Sequence, residues 1–372
     1  MHRTFLLIVI FFACILSCTA QQAVRPISPE DPAFDATYAK RQAPVVRVKV
    51  LHLFPGEDSN RIIHYSLTTP FEPVGQRQED TLDADGSFTL HLDFALPYQQ
   101  IWLQVGRLFY GALYANEGLE LQLDAQVLRG AQGFASFGKG IRYRGPDGPL
   151  NAYLNEYAMY RPLERRPLLR RRSDLQTEAQ ARNVDITAGY NRISDSLQSI
   201  QESFTLTHPS PYAAILINED LSDYYAGLCG TWFGKTMPDD LWRKMNRHQP
   251  YGITSGGTQF YYYLGIYTRT QPPGKYASLT SAMHRLDSLF PPAKADFIKL
   301  HLALGRELEE QQKGLAELEP GIHTAWCAAL LRLESRLIAE KIQAVKKNIA
   351  ASAQASLRKP FSIGKTIAKI HV

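Results

Sequence analysis

The stretch Gly145-Pro-Asp-Gly-Pro149 divides the chain into two parts whose apolar residues follow different patterns. Before it, apolar and polar residues alternate, most clearly in Ser87-Phe-Thr-Leu-His-Leu-Asp-Phe94, as they do in half-buried strands. After it, apolar residues recur every three or four positions, as they do between Trp326 and Leu337, which is typical of amphipathic helices. The sequence therefore predicts an α+β multidomain protein, in which an N-terminal antiparallel β-sandwich precedes a mostly α-helical region.

The β-rich part is predicted to consist of short strands joined by turns. One turn, Asp83-Ala-Asp85-Gly86, resembles part of a calcium-binding loop, but Thr81 and Leu92 stand where such a loop needs an acidic ligand and a bidentate glutamate. We therefore interpret it as a hairpin turn. The predicted strands are residues 46–50, 62–67, 87–94, 101–105, 108–114 and 119–123.

The part after Pro149 is predicted to be a series of helices, each with one apolar face. The apolar stripes fall within residues 150–157, 186–204, 212–217, 279–290, 297–308 and 326–349. The predicted boundaries are an export segment at 1–20, a tether at 21–42, a β-sandwich domain at 43–145, a helical domain at 146–350 and a short basic tail at 351–372. We expect the tether to be exposed and poorly ordered, because Pro26, Pro29 and Pro32 interrupt it.

The start of the chain has the order of an export signal. A basic Met1-His2-Arg3 precedes an uncharged apolar run at 5–16, and small or polar residues follow. Ile15-Leu-Ser-Cys18 is similar to a bacterial lipobox, which would attach a lipid to Cys18 and anchor the protein to a membrane of the cell envelope. Ordinary cleavage after Ala20 is the alternative, and it would leave a periplasmic protein.

The composition predicts packed cores, since 45% of the residues are hydrophobic and 11% are aromatic. The formal net charge of +5 is mild for a chain of 372 residues. No recognition motif accompanies the densest basic run, at 161–172, so nucleic acid is not a predicted partner. We interpret this run as a solvated loop or helix face, with contact to an anionic lipid or glycan as the alternative. Its clustered arginines are Arg165, Arg166, Arg170, Arg171 and Arg172.

Beyond Cys14 and Cys18, the sequence contains only Cys229 and Cys327, and both have apolar neighbours. We interpret these two as structural thiols, because free cysteine packs well as a small core residue. A disulfide between them is the alternative in an oxidising compartment.

No sequence motif predicts a catalytic residue, a cofactor or a metal ligand. The patterns of zinc proteases, serine hydrolases and phosphate-binding loops are absent from the sequence, and its ten histidines are scattered. The aromatic run Phe260-Tyr-Tyr-Tyr263 is interpreted as a packing surface, with a sugar or peptide groove as the alternative.

An acidic cluster, Glu219, Asp220 and Asp223, lies beside Tyr224 and Tyr225. We interpret the cluster as a solvated helix end. In an open cleft between the β-rich and helical parts, paired carboxylates would instead suit an enzyme that acts on envelope glycans or peptides.

Three segments together carry a family resemblance. They are Asp80-Thr-Leu-Asp-Ala-Asp-Gly-Ser-Phe-Thr-Leu90 leading to Tyr114-Ala-Asn-Glu-Gly-Leu-Glu-Leu121, Gly145-Pro-Asp-Gly-Pro-Leu-Asn-Ala-Tyr-Leu154, and Trp326-Cys-Ala-Ala-Leu330 with the helix at 341–349. These segments resemble the N-terminal half of exported thioredoxin-like (TlpA-type) proteins of the Bacteroidetes. The resemblance covers most of residues 45–350 and implies a β-rich domain, then a helical segment, and after it a thioredoxin fold with Cys-x-x-Cys. No Cys-x-x-Cys occurs in this sequence, so redox activity and its catalytic residues are not carried over.

The expected function is that of a non-enzymatic binding or scaffold module in the cell envelope, related to the N-terminal half of thiol-disulfide oxidoreductases. Its expected partner is an envelope protein or peptide. The alternatives are a truncated thiol-disulfide oxidoreductase of the thioredoxin-like family and an enzyme that acts on envelope glycans or peptides.

Overall fold

The fold is mixed, with a β-rich part before Gly145 and a helical part after it. The structure is a computed structural model, and it describes residues 26–31, 33–54, 56, 58–71, 75–130, 135–182, 184–275, 277–302 and 307–358. Two four-stranded sheets and twelve α-helices occur in these residues. The predicted export segment, Cys18 and most of the predicted basic tail lie outside the described residues.

Eight strands form the β-rich part, and six of them are the predicted ones. The two that were missed, β3 and β8, are rich in charged and polar residues and therefore lack an apolar alternation. The strands are β1 (Val45–Leu51), β2 (Ile62–Leu67), β3 (Gln78–Thr81), β4 (Ser87–His91), β5 (Gln99–Val105), β6 (Phe109–Ala115), β7 (Leu119–Asp124) and β8 (Ile141–Arg144).

The strand order is β4-β1-β7-β8 in one sheet and β3-β2-β5-β6 in the other. The prediction of purely antiparallel pairing is wrong for β1 and β7, which run parallel with Val48 opposite Leu121. A parallel pair needs a long crossover connection, and here the chain between the two strands builds the whole second sheet and β4. One hydrophobic cluster contains side chains of both sheets, among them Val48 of β1 and Ile101 of β5.

The predicted hairpin turn at residues 83–86 is a turn, but it does not close a hairpin. It joins β3 of one sheet to β4 of the other, so the two strands that flank it do not pair. The amide of Gly86 donates to the carbonyl of Asp83 at 2.9 Å, and the residue has a φ of 81°. A Cβ atom there would approach the carbonyl oxygen of Val50 to 2.6 Å, so glycine is required on both grounds.

The helical part confirms the prediction of a mostly α-helical region, with differences in detail. The stripe predicted as one helix at 297–308 is split, because one helix ends at Leu300 and the next begins at Leu308. A short α1 (Phe34–Tyr38) and α2 (Ala125–Leu128) precede α3 (Gly148–Ala158), α4 (Pro162–Arg182), α5 (Thr187–Thr207), α6 (Ala213–Gly230), α7 (Asp239–Arg247), α8 (Ser255–Arg269), α9 (Leu279–Leu289), α10 (Pro292–Leu300), α11 (Leu308–Leu318) and α12 (Ala325–Arg358).

The described part of the segment predicted as a tether is packed, so the expectation of an exposed, poorly ordered tether is wrong there. The Phe34 ring lies 4.9 Å from that of Trp326 at the start of α12, and Phe34 is only 2% exposed. The Asp35 carboxylate accepts from the amides of Ala325 and Trp326, both at 3.2 Å. Glu30 forms a buried ion pair with Lys294 at 3.3 Å. Helix α1 was not predicted because its buried residues are only Phe34 and Tyr38, four positions apart. So short a pattern does not stand out in the sequence.

The β-rich and helical parts are joined through their backbones. The amide of Gln100 in β5 donates to the carbonyl of Ile253 at 2.9 Å, and the amide of Ile253 donates to Pro97 at 2.8 Å. Asn151 of α3 exchanges two hydrogen bonds of 2.8 Å with the backbone of Tyr114 in β6. None of the described helices has both the length and the hydropathy to cross a membrane.

Candidate functional site

A cavity of about 540 Å³ lies among helices α3 to α7. Its lining therefore comes from the helical part alone. The enzyme alternative expected an open cleft between the β-rich and helical parts, and the cavity does not lie there. Its lining residues are Tyr157, Arg165, Leu169, Arg172, Thr187, Asn191, Ser194, Asp195, Leu197, Gln198, Gln201, Ile217, Asp220, Leu221, Asp223, Tyr224, Tyr225, Leu228, Trp232, Pro238, Asp240, Leu241 and Lys244.

Two carboxylates of α6, one turn apart, contribute to the wall of the cavity. Asp220 accepts from the hydroxyl of Tyr157 at 2.9 Å and from the side-chain amide of Gln201. Asp223 accepts from the guanidinium of Arg172. Burial raises the pKa of Asp220, and the cation of Arg165 opposes the shift without cancelling it. The wall is thus a network in which both carboxylates already have donors.

Two arginines of the basic run belong to this wall. Arg165 donates to the carbonyl of Tyr157 at 2.6 Å and lies 3.8 Å from the centre of that residue's ring. Burial alone would lower the pKa of Arg172, but the carboxylates around it, chiefly Asp223, raise it on balance, so the group remains a cation. The interpretation of the whole run as a solvated face is therefore wrong for these two. Their separation of seven residues, two helical turns, was the signal that both lie on one side of α4.

The acidic cluster predicted from the sequence is divided between two environments. The interpretation as a solvated helix end is wrong, because Glu219, Asp220 and Asp223 lie in the middle of α6. Glu219 does not line the cavity; its carboxylate accepts from the Thr254 hydroxyl and, at 3.3 Å, from the Gly256 amide at the start of α8. Burial, with the neighbouring carboxylates adding to it, raises the pKa of Glu219 to about 7.

Four polar atoms of cavity-lining residues are buried without a hydrogen-bond partner among the described residues. They are Nε1 of Trp232, Nε of Arg165, Oγ of Ser194 and Oγ1 of Thr187. The first two can only donate. Buried donors in proteins are nearly always paired, often with ordered water, so these two groups do not by themselves indicate a ligand.

Aromatic residues occur both at the cavity and in the core. Tyr224 and Tyr225 line the cavity, with ring centres 5.2 Å apart. Within the aromatic run predicted as a packing surface, Phe260 and Tyr261 are buried in the helical core, which confirms that interpretation for these two residues.

The cysteines predicted to be structural do not belong to the cavity. Cys229 and Cys327 are both buried free thiols in the hydrophobic cluster of the helical part. They do not form the disulfide that was the alternative. Burial raises the pKa of each thiol far above its ordinary value.

One group of described residues, Asp287, Asp296 and His323, has ligand atoms close enough together for a metal ion. The ammonium group of Lys299 already lies among them, 2.5 Å from Asp287 and 3.1 Å from Asp296. Asp296 also accepts from the amides of His323 and Thr324, at 2.8 and 2.7 Å, just before α12. A lysine thus supplies the positive charge there, and the group is structural.

Comparisons of the chain with protein-family models, with curated proteins and with solved structures find no match. What the cavity can bind is therefore indicated by its own side chains. They provide apolar surface, aromatic rings and polar side chains around a wall of carboxylates and guanidinium groups that are paired with one another.

Proposed function

We propose that the protein is a non-enzymatic binding or scaffold module of the bacterial cell envelope, and that the helical cavity receives a peptide segment of a partner. The cavity itself is the observation that carries the proposal. Its volume of about 540 Å³ falls in the range of ordinary ligand sites. Like such sites, it combines apolar surface with a few hydrogen-bonding groups.

A peptide matches the lining in two ways. The exposed side chains of Leu169, Ile217 and Leu221 at the cavity would be covered by apolar side chains of the peptide, which is favourable. Backbone groups of the peptide would form hydrogen bonds with polar side chains of the lining, such as those of Asn191 and Gln198.

The net charge of the cavity lining is small, which suits the uncharged backbone of a peptide. Three cations face four carboxylates in the lining, a formal net charge of −1, and the pairing between Arg172 and Asp223 neutralises part of it internally. A strongly charged ligand is therefore not required. The charged residues are Arg165, Arg172, Lys244, Asp195, Asp220, Asp223 and Asp240.

The hydrogen bonds of the wall support binding rather than catalysis. A general acid or base must reach the reacting atoms of a substrate. In the cavity, Tyr157 and Gln201 both donate to Oδ2 of Asp220, and Arg172 donates to Oδ2 of Asp223. These contacts fix both carboxylates as acceptors within the wall, which suits a preformed binding site.

One observation favours an enzyme acting on envelope glycans or peptides as a second candidate. Asp220 is a carboxyl group with a raised pKa at an open cavity, and such groups serve as catalytic acids. Incubation with cell-wall fragments and mass spectrometry of the products distinguishes the candidates. Cleavage by the wild type that Asp220→Asn abolishes would establish the enzyme.

The location and ancestry belong to the same proposal. Attachment of a lipid to Cys18 would hold the module at an envelope membrane, and relationship to the N-terminal half of TlpA-type proteins would account for its two-part organisation. That the two sheets pack as a β-sandwich is supported by the hydrophobic cluster that both sheets share. Replacement of Cys18 by Ser should release the protein from membranes or block its processing, and an unmodified N-terminus at Gln21 in the wild type would contradict the anchor.

Selection from a random-peptide library on the immobilised protein, followed by calorimetry, tests the binding proposal. Leu221 at the cavity and Leu289 on α9 are matched, with exposed fractions of 37% and 38%. Leu221→Asp should weaken the selected peptides by about tenfold or more, which corresponds to about 1.4 kcal/mol, while Leu289→Asp should leave their affinity unchanged. Failure to select any peptide, or equal affinity for both variants, would overturn the proposal.

A further inference from the structure

A second surface, on the side of α4 away from the cavity, combines exposed arginines with exposed leucines. Positions 163, 166 and 170 have the spacing that places residues on one side of a helix, and Leu163, Arg166, Arg170 and Arg171 are all exposed. Leu163 is 86% exposed and Leu206, near the end of α5, is 81% exposed. These five residues are called the arginine face below.

The two leucines lie at the same end of the helix pair. Tyr160, just before α4, forms a 3.1 Å hydrogen bond with Ser203 of α5, and its ring lies 5.8 Å from that of His208, the residue after α5. The first turn of α4 is thereby placed beside the last turn of α5. Leu163 and Leu206, both highly exposed, are therefore at the same end of this helix pair.

The arginines of this face lack the partners that the other arginines of α4 have. Arg161 pairs with Glu164 at 3.7 Å, and Arg165 and Arg172 bind groups in the cavity wall. Arg166, Arg170 and Arg171, by contrast, form no hydrogen bond or ion pair with any residue that the structure describes.

This arrangement costs helix stability. Arg166 and Arg170 are one turn apart, where like charges repel. Of the carboxylates on α4 within one turn of these arginines, Glu164 is paired with Arg161, and the exposed Asp174 provides one negative charge for three arginines. An anionic partner would offset the repulsion.

We propose that the arginine face docks on an anionic phospholipid surface. Guanidinium groups bind phosphate oxygens through two parallel N–H donors, and the exposed Leu163 and Leu206 would enter the boundary between headgroups and acyl chains. A nucleic acid or a sulfated glycan would use the arginines but leave both leucines in water. The site is separate from the cavity and does not depend on the peptide partner or on a lipid at Cys18.

Co-sedimentation with lipid vesicles tests this proposal. Residues 21–372 without the export segment exclude any contribution from a lipid anchor or from the apolar run at 5–16, and the vesicles contain phosphatidylcholine alone or with about 30% phosphatidylglycerol. Binding should be at least about tenfold stronger to the anionic vesicles, and it should fall steeply with salt because exposed charges are screened. Equal binding to both vesicle types, or no binding, would overturn the proposal.

A charge-matched pair of variants separates the arginine face from the general positive charge of the protein. R166Q/R170Q/R171Q should lose about tenfold in binding to anionic vesicles, since each basic residue at such a surface contributes substantially. R142Q/R243Q/R332Q removes the same charge at exposed positions elsewhere and should stay within about twofold of the wild type. Similar losses in both variants would show attraction by net charge alone and contradict the proposal.

The leucines provide an independent measurement. L163N/L206N should weaken vesicle binding even at high salt, because insertion of apolar side chains is not screened. Unchanged binding of this variant, or tight binding of the wild type to heparin together with none to vesicles, would assign the face to a different partner and overturn the proposal.

Discussion

Adjacent residues on α6 occupy environments that their order in the chain does not reveal. Asp220 faces the cavity and accepts hydrogen bonds from Tyr157 and Gln201. Glu219 points to the N-terminus of α8, where Thr254 and Gly256 donate to it. Consecutive residues on a helix face different directions. Asp220 therefore belongs to the cavity wall, whereas Glu219 stabilises the start of α8.

The stability of the protein should depend on pH through Glu219. Its folded-state pKa of about 7 lies above the ordinary value of 4.5. Between these two values the unfolded chain releases the proton while the folded protein retains it, so the free energy of unfolding falls as pH rises through this window. Below 4.5 and above about 7 the group adds no further change.

Glu219→Gln should remove this dependence, because the amide cannot ionise. The free energy of unfolding of the variant minus that of the wild type, from urea titrations, should increase by about 2–3 kcal/mol between pH 4.5 and 8. The same difference for the exposed Glu202→Gln should stay constant. A flat difference for Glu219→Gln would show that its carboxyl group ionises equally easily in both states.

The thiols of Cys229 and Cys327 should be unreactive in the folded protein. Burial raises the pKa of both, and the thiolate is the species that reacts with alkylating agents. Peptide mass spectrometry after iodoacetamide treatment near pH 8 should find both unmodified in the native state and modified in urea. Rapid native labelling of either cysteine would revive the alternative of a redox function.

At the scale of secondary-structure elements, the sequence predicted those elements whose burial is one-sided. Strand β4 and helix α12 have one apolar face each, so their apolar residues recur in the sequence with the spacing of a strand and of a helix. Helix α4 was missed because Arg165 and Arg172 face the cavity while other arginines face solvent, so polar residues occur on both sides. Its inner arginines are stabilised by the carbonyl of Tyr157 in α3 and by Asp223 of α6, which is 51 residues from Arg172.

Which strands and helices contact one another was less predictable from the sequence than where each one lies in the chain. Alternation in β1 shows that one face is buried, but it carries no information on the parallel partner β7. The cavity was missed for the same reason, since its wall takes residues from five helices between Gly148 and Arg247. Only the acidic cluster on α6 and the basic run on α4 were visible beforehand, without the contact between them.

Helix α1 should be a stabilising element rather than part of a tether. Phe34→Ala would remove a buried ring that lies 4.9 Å from Trp326 and 6.2 Å from Phe297, and such truncations cost about 3–5 kcal/mol. Lys40→Ala, at an exposed position close by, should change stability by less than about 0.5 kcal/mol. Urea unfolding measures the change in stability of each variant. Equal and small changes would support the original prediction of a tether.

At the scale of the whole molecule, the segment before β1 connects both parts of the fold. Glu30 and Asp35 bind the helical part through Lys294 and the start of α12, while the hydroxyl of Tyr38 donates to Asn116 in the β-rich part at 2.7 Å. The backbone bonds between Gln100 and Ile253 add a second connection. Neither part is therefore free to move or unfold without breaking buried contacts with the other.

The final prediction is that the β-rich and helical parts unfold in one cooperative transition. Circular dichroism at 222 nm would report the helices, and hydrogen exchange at the amides of β5 and β7 would report the sheets. Both should give the same urea midpoint, since coincident transitions are the test of two-state behaviour. Tyr38→Phe, which removes the hydroxyl bonded to Asn116, should lower the shared midpoint without separating the probes, as loss of one hydrogen bond costs about 1 kcal/mol. Two separated midpoints in the wild type would contradict this prediction and show that each part carries its own stability.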